Sequence, residues 1–166
     1  MSKPADIVAF LREARLFRDI PSQDLAVLAQ SMRERSLKKG HVLFREGDAG
    51  NEMFLVRSGT VIISKLVTGR VDQVLARVGS GEFFGEMSLI DGAPRSATIQ
   101  ADTDVVLLVL DRHELQRLVE VNPRAAAEFF RALVQVLFER LRATGELVAE
   151  VTRWGLEATG LDVETK

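Results

Sequence analysis

Hydrophobic positions along this chain change their period twice. Near the N-terminus they are helical: Pro4 stands in the first turn of a segment running through Ala5 to Leu11. Ser22 then caps a second helix, with Leu25, Leu28 and Met32 on one face. From about residue 33 the pattern shortens into aliphatic or β-branched runs, at Val42 to Phe44, Met53 to Arg57, Val61 to Lys65, Val71 to Val78, Thr98 to Ala101 and Val105 to Leu110. Gly40, Gly47, Gly50, Gly59, Gly69, Gly79 and Gly81 fall between them. Strands this short and this regularly punctuated predict an antiparallel sandwich or barrel. Thr68-Gly69-Arg70 reads as an exposed, mobile hairpin tip.

The helical period then returns. Asp111 caps a helix through about Val121, and Glu114, three residues on, completes a capping box. Asn122-Pro123 breaks that helix, and a long one follows from about Arg124 to Trp154, where Gly155 offers a terminator. The expected organisation is a β-domain with N-terminal helices over 1–123, a long helix over 124–154 and a polar, frayed tail over 155–166. On the long helix, Phe130, Val134, Leu137, Leu141, Thr144, Val148 and Val151 are spaced alternately four and three apart, the a/d seam of a coiled coil. A second stripe (Ala126, Phe129, Leu133, Val136) can pack the same helix on its own barrel. Two apolar faces imply two partners, the second being another copy joined through residues 130–151. One broad core face is the plainer reading of the same residues.

Bulk composition narrows the classes. Hydrophobic residues make up 46% and charged residues 28% of 166, with a formal net charge of −2, so long-range attraction to nucleic acid or an anionic membrane is not expected. The absence of cysteine removes disulfides, thiolate nucleophiles and thiolate metal sites. No signal peptide is visible, and the most apolar helical stretch, Ala125 to Phe138, is interrupted by Glu128 and Arg131 and is too short to span a bilayer. A cytoplasmic location is expected.

Chemistry concentrates in residues 84–101. Gly85-Glu86 opens the stretch and Pro94-Arg95-Ser96-Ala97 closes it, with Met87, Leu89 and Ile90 between them at the spacing of one helical turn. A small molecule bearing a sugar hydroxyl and a phosphate needs such a pair. The carboxylate accepts from the hydroxyl, and the planar guanidinium fork matches an oxyanion. A salt bridge across a surface loop would satisfy the same two residues.

Phe84, Gly85, Glu86, Leu89, Pro94, Arg95, Ala97 and Thr98 resemble the phosphate-binding cassette of cyclic-nucleotide-binding domains. The order of elements is similar over nearly the whole chain. The resemblance implies an α+β fold: an antiparallel β-sandwich or jelly-roll barrel flanked by N-terminal helices and a long C-terminal helix. It implies that Glu86 accepts the ribose 2′-hydroxyl beside the Gly85 amide. Arg95, the amides of Ser96 and Ala97 and the Ser96 hydroxyl would hold the cyclic phosphate. Ala76 and Val78, which alternate with Arg77 and so share a strand face, would wall the base; core packing is the other reading of that pair. A hydroxyl after the arginine occurs in domains that take cAMP and in domains that take cGMP, so Ser96 does not choose between them. Arg140 to Thr144 resembles the lid helix of catabolite-activator-type regulators, in which a threonine meets the adenine amino group from within a dimer interface. On that likeness Thr144 tilts the choice to cAMP, while Gly145 departs from the serine expected next.

The DNA-reading module of those regulators is not expected here, since the 12 residues after Trp154 are too few to form one. Arg131, Arg140, Arg142 and Arg153 are interspersed with Glu128, Glu139, Glu146 and Glu150, the pattern of a solvated face. Two distant histidines, His41 and His113, make neither a metal site nor a triad, and Glu82 and Glu86 show no general-acid pairing. No enzyme, cofactor or metal is expected. What remains is a cyclic-nucleotide sensor acting on an unidentified downstream protein, free-standing if the chain is complete, or a scaffold of the same fold that has lost its ligand.

Overall fold

In the computed structural model, which describes residues 4–67 and 71–158, eight strands form two four-stranded antiparallel sheets among five helices. The elements in order are α1 (Pro4–Glu13), α2 (Ser22–Gln30), β1 (Arg33–Leu37), β2 (Val42–Phe44), β3 (Glu52–Ser58), β4 (Val61–Val67), β5 (Val71–Val78), β6 (Phe83–Phe84), α3 (Glu86–Asp91), β7 (Thr98–Ala101), β8 (Val105–Asp111), α4 (Arg112–Val121) and α5 (Pro123–Ala158). One sheet has the order β1-β8-β3-β6 and the other β2-β7-β4-β5. This is the expected sandwich with flanking helices. The Thr68-Gly69-Arg70 tip lies outside the described residues.

The two sheets enclose a core of Phe54, Val56, Val61, Val78, Phe84, Ile99, Ala101, Val105, Leu107 and Val109, with Phe44 and Ile63 packed at its edge. On β3 and β8 the alternate residues Met53, Leu55, Leu108 and Leu110 are buried too. Successive strand residues point to opposite faces, so both faces of this sheet are covered. That is why β3 and β8 read as continuous apolar runs rather than alternating ones. The helices and the turn joining α1 to α2 carry a second buried set, including Leu11, Phe17, Leu25, Leu28, Leu115 and Leu118, and Phe17 stacks on Phe129 at 5.9 Å.

Two strands lack the hydrophobic pattern. β1 (RERSL) is an edge strand whose charges are paired across the sheet: Arg33 and Arg35 with Glu52, and Glu34 with Arg57 at 3.1 Å. Charged edge strands resist pairing with other chains. β6 is two phenylalanines long, too short to show a period.

Three local expectations are corrected. Ser22 is the first residue of α2 rather than its cap. The Pro21 carbonyl accepts from Asp24 and Leu25, while the Ser22 hydroxyl accepts from Arg12. At α4, Asp111 does accept from the Glu114 amide at 2.9 Å, but Glu114 pairs with Arg117 instead of closing a box. The backbone of Asp111 is engaged in the ladder opposite Glu52. Gly155 does not end α5, which continues to Ala158; a helical glycine costs about 1 kcal/mol, which a helix of 36 residues absorbs.

The chain divides into two compact units between Phe129 and Phe130. Ala125, Ala126 and Phe129, the first turns of α5, are buried in the first unit. In the second, Val134, Leu141, Val148 and Val151 of the seam are all exposed, between 46% and 67%. Among the described residues no helix is long and apolar enough to cross a membrane.

Gly59, between β3 and β4, has φ +83°, and a Cβ there would lie 2.8 Å from Thr103 Oγ1 and closer still to the Asp104 carbonyl. Left-handed strain alone costs about 1–3 kcal/mol. Gly59→Ala should therefore lower the urea midpoint by at least that equivalent, with the denaturant slope unchanged.

Candidate functional site

Residues of both sheets converge on one cation. Arg95 is the last residue but two before β7, and its side chain is 5% exposed. Its backbone is clamped to the 45–48 turn, donating to the Asp48 carbonyl and accepting from Gly47, both at 2.8 Å. The guanidinium lies over the Phe44 ring, 4.1 Å from its centroid, and 5.6 Å from that of Phe54. Nη1 donates to the carbonyls of Glu52 at 2.8 Å and Gly85 at 3.0 Å. Those two bonds occupy both Nη1 hydrogens. Nε is buried and has no hydrogen-bond partner among the described residues. No group among the described residues takes the Nε–Nη2 edge, the side of the fork that matches an oxyanion bidentately.

Two glycines make room for this side chain. Gly50 is needed for space rather than for a positive φ: a Cβ there would lie 2.8 Å from Arg95 Cδ and closer still to Cζ and Nε. Gly85 is needed for both reasons, with φ +78° and a hypothetical Cβ 2.9 Å from Nη1. Gly85 also starts α3, so Glu86 is its first residue.

Glu86 is 6% exposed. The pair Glu86 and Arg95 is thus buried, which rules out a salt bridge across a surface loop. Burial pushes the Arg95 guanidinium below its ordinary range, opposed by the carboxylates of Asp48 and Glu86. Arginine's affinity for its proton is so high that the charge persists. A bound oxyanion would act in the same direction as those carboxylates and against the desolvation.

The remaining residues read from the sequence are placed as follows. Ser96 is exposed, with Oγ 3.7 Å from Met87 Sδ, and its carbonyl accepts from Lys65. Ala97 is buried. Val78 sits opposite Val61 within the inter-sheet core, while Ala76, opposite Ile63, is exposed. The register shifts between Ile63 and Ser64, and the neighbouring Val74 and Leu75 are exposed apolar groups. Thr144 belongs to the second unit; it is exposed, and its hydroxyl donates to the Arg140 carbonyl at 2.9 Å. His41 and His113 are exposed, and Glu82 accepts from the Gly79 amide. No group of three or more potential metal-binding side chains occurs among the described residues.

Sequence reasoning missed Phe44, Asp48, Glu52 and the reason for Gly50. A carbonyl acceptor such as that of Glu52 leaves no trace in residue type. The spacing of Gly47, Asp48 and Gly50 was the available signal, and it reads equally as an ordinary turn.

Comparison with known proteins bears on the chain as a whole. The family profile of the cyclic nucleotide-binding domain matches residues 34–122. Over 141 residues the chain is 28% identical to the CRP-like cAMP-activated global transcriptional regulator of Mycobacterium tuberculosis, covering 85% of this chain and 61% of that protein. It is 36% identical over 111 residues to a cyclic nucleotide-gated potassium channel of Rhizobium etli, covering 67% of this chain and 30% of the channel. A crystal structure of a cyclic nucleotide-binding domain from Methylobacillus flagellatus superposes with a TM-score of 0.78 at 29% identity, over 89% of this chain and 83% of that one. The chain thus spans 61% of the regulator's length and 30% of the channel's.

Gly50→Ala should displace the Arg95 guanidinium from Phe44 and its two carbonyls. Overpacking of this kind costs about 1–3 kcal/mol, to be read by urea denaturation. Gly79→Ala, at an ordinary φ and with a Cβ 3.8 Å from its nearest neighbour, Glu82 Oε2, controls for the loss of a turn glycine without a clash.

Proposed function

The chain belongs to the cyclic nucleotide-binding domain family, and from that premise we propose that it is a cyclic-nucleotide sensor, preferring cAMP to cGMP, that signals to a partner protein through movement of α5. The observation that carries the proposal is the unused Nε–Nη2 edge of a buried arginine. An unmet buried donor costs about 1–3 kcal/mol, and a phosphate oxygen removes that cost.

In this reading the singly charged cyclic phosphate takes the free edge of Arg95, with the amides of Ser96 and Ala97 and the Ser96 hydroxyl completing its shell. Neutralising the phosphate allows Glu86 to approach the sugar without net repulsion and accept from the ribose 2′-hydroxyl, beside the Gly85 amide. Apolar surface on β5, with Ala76 exposed on it, receives the base. Val78 supports that strand from the core.

Thr144 supplies the discrimination between purines. Its hydroxyl proton is committed to the Arg140 carbonyl, so the oxygen can only accept. The adenine 6-amino group is a donor, whereas guanine presents an acceptor at that position. Homodimerisation through residues 130–151 accounts for the exposed seam of Val134, Leu141, Val148 and Val151, a heptad pattern with no reason to be apolar in water. Ligand shifts the pose of α5 only to the extent that it binds one pose more tightly than the other.

Arg95→Ala should weaken cAMP binding by at least about thirtyfold in a calorimetric titration, since breaking a buried charge pair costs about 2–5 kcal/mol and each 1.4 kcal/mol is tenfold. Unchanged affinity would exclude the assigned role. In the same titrations Thr144→Ala should bring the cAMP and cGMP affinities together; a preserved ratio removes Thr144 from base recognition. Leu141→Glu should convert a sedimenting dimer to monomer, and a wild-type protein that sediments as a monomer at micromolar concentration rejects the seam.

A further inference from the structure

Arg112, the first residue of α4, touches no ligand in the proposed function, yet it joins the two halves of the site. Its guanidinium reaches the C-terminal end of α3: Nε donates to the Leu89 carbonyl at 3.1 Å and Nη2 to that of Ser88. A cation placed there meets the Leu89 carbonyl, adds a second bond to that of Ser88, which also accepts from the Gly92 amide, and complements the negative end of the helix dipole. The glycine that ends α3 fits the same arrangement. Gly92 has φ +73°, and a Cβ on it would lie 3.1 and 3.2 Å from the two terminal nitrogens of Arg112.

The backbone of Arg112 is tied in the other direction. Its amide donates to the Asn51 carbonyl at 2.8 Å, and the preceding Asp111 is registered opposite Glu52. The next carbonyl along that strand, of Glu52, is the one that holds Arg95. One residue therefore fastens α3 by its side chain and the Arg95 shelf by its main chain.

α3 has six residues, too few to hold a helix by itself, so its orientation is set by what grips its ends. Gly85 and the Arg95 bond to its carbonyl fix the first end, and Arg112 fixes the last. Glu86 rides on the first turn. We infer that Arg112 is a positioning residue that sets the spacing between the sugar-binding carboxylate of Glu86 and the phosphate-binding guanidinium of Arg95, and that couples α3 to α4. This rests on the ligand reading above for the two roles, but the grip itself does not.

The test uses the full chain with Arg112→Ala, Arg112→Lys and Arg95→Ala, probed with cAMP and 2′-deoxy-cAMP. In ligand-free protein, Arg112→Ala should raise amide hydrogen exchange across Glu86–Asp91 by roughly tenfold while β3 and β8 stay protected. It should weaken cAMP roughly tenfold and 2′-deoxy-cAMP much less, because the deoxy analogue never used Glu86. Arg112→Lys, which keeps a donor cation, should recover part of both effects. Arg95→Ala should instead weaken both nucleotides together. Unchanged exchange in α3, or equal losses for the two nucleotides with Arg112→Ala, overturns the inference. If the wild-type chain binds neither nucleotide, the functional reading fails, and the exchange experiment still decides whether Arg112 holds α3.

Discussion

A guanidinium buried to 5% exposure is the constraint around which this structure is arranged. Removing such a charge from water costs several kcal/mol even after relaxation, and the cost returns in full if its neighbours are not in place. Here the compensation comes from separate parts of the chain: the ring faces of Phe44 and Phe54, the carbonyls of Glu52 and Gly85, and the carboxylates of Asp48 and Glu86. Phe44 lies on β2, Phe54 and Glu52 on β3, and Glu86 on α3, so the sandwich must close before the arginine is tolerable. Phe44, Phe54 and Phe84 in turn form one cluster with centroids 5.3–6.3 Å apart, within the core between the sheets. Site and core share residues, and neither can be altered alone.

What could be read of the fold follows from burial. β3 and β8 are covered on both faces, and their continuous runs are conspicuous in the sequence. β1 is invisible to hydrophobic patterning because an edge strand is stabilised by backbone pairing with β8 and by cross-strand ion pairs, which require polar residues. The misread helix ends have a common cause. Ser22, Glu114 and Gly155 each have the residue type of a cap, but what surrounds them decides the outcome: Arg12 of α1 for Ser22, Arg117 one turn along the same helix for Glu114, and continued helix past Gly155. A local signal specifies an option, and the surroundings select among options.

At the site the division runs between side chains that carry chemistry and groups that only position them. Glu86 and Arg95 are legible because the string that holds them resembles a phosphate-binding cassette; as a bare carboxylate and guanidinium they fit a surface salt bridge equally well. The supports are not. Glu52 acts through its carbonyl, which every residue possesses, while its side chain is engaged with Arg33. Gly50 looks like a turn glycine, yet its φ is ordinary and its value is the space that Arg95 fills. Arg112 reads as a helix-opening charge, an unfavourable sign at a positive helix end, until α3 is seen beside it. That mismatch with the α4 dipole is itself a reason to look for a partner elsewhere.

The same contacts bear on how a ligand's binding energy could travel. α4 is tied to other elements by side chains at both of its own ends: Arg112 on the carbonyls of α3, and the C-cap Asn122, whose amide donates to Asp24 of α2 at 3.0 Å. Asn122 also accepts from the Ala125 amide, so the residue that ends α4 opens α5. Asp24 is 3% exposed, and its second oxygen has no partner among the described residues, which leaves the junction a polar contact short of full satisfaction. A displacement of α3 therefore meets a charge-assisted link at one end of α4 and a single neutral–ionic one at the other. Bonds of this kind are worth about 1.5–3 kcal/mol. Couplings between sites are typically about 1–3 kcal/mol. Exchanging one such link suffices for a regulatory effect, whereas disrupting the shared aromatic core would cost more than a ligand's differential affinity supplies. Were a ligand to move an element of the first unit, α4, with polar links at both ends, would shift before the sheets that share the aromatic core.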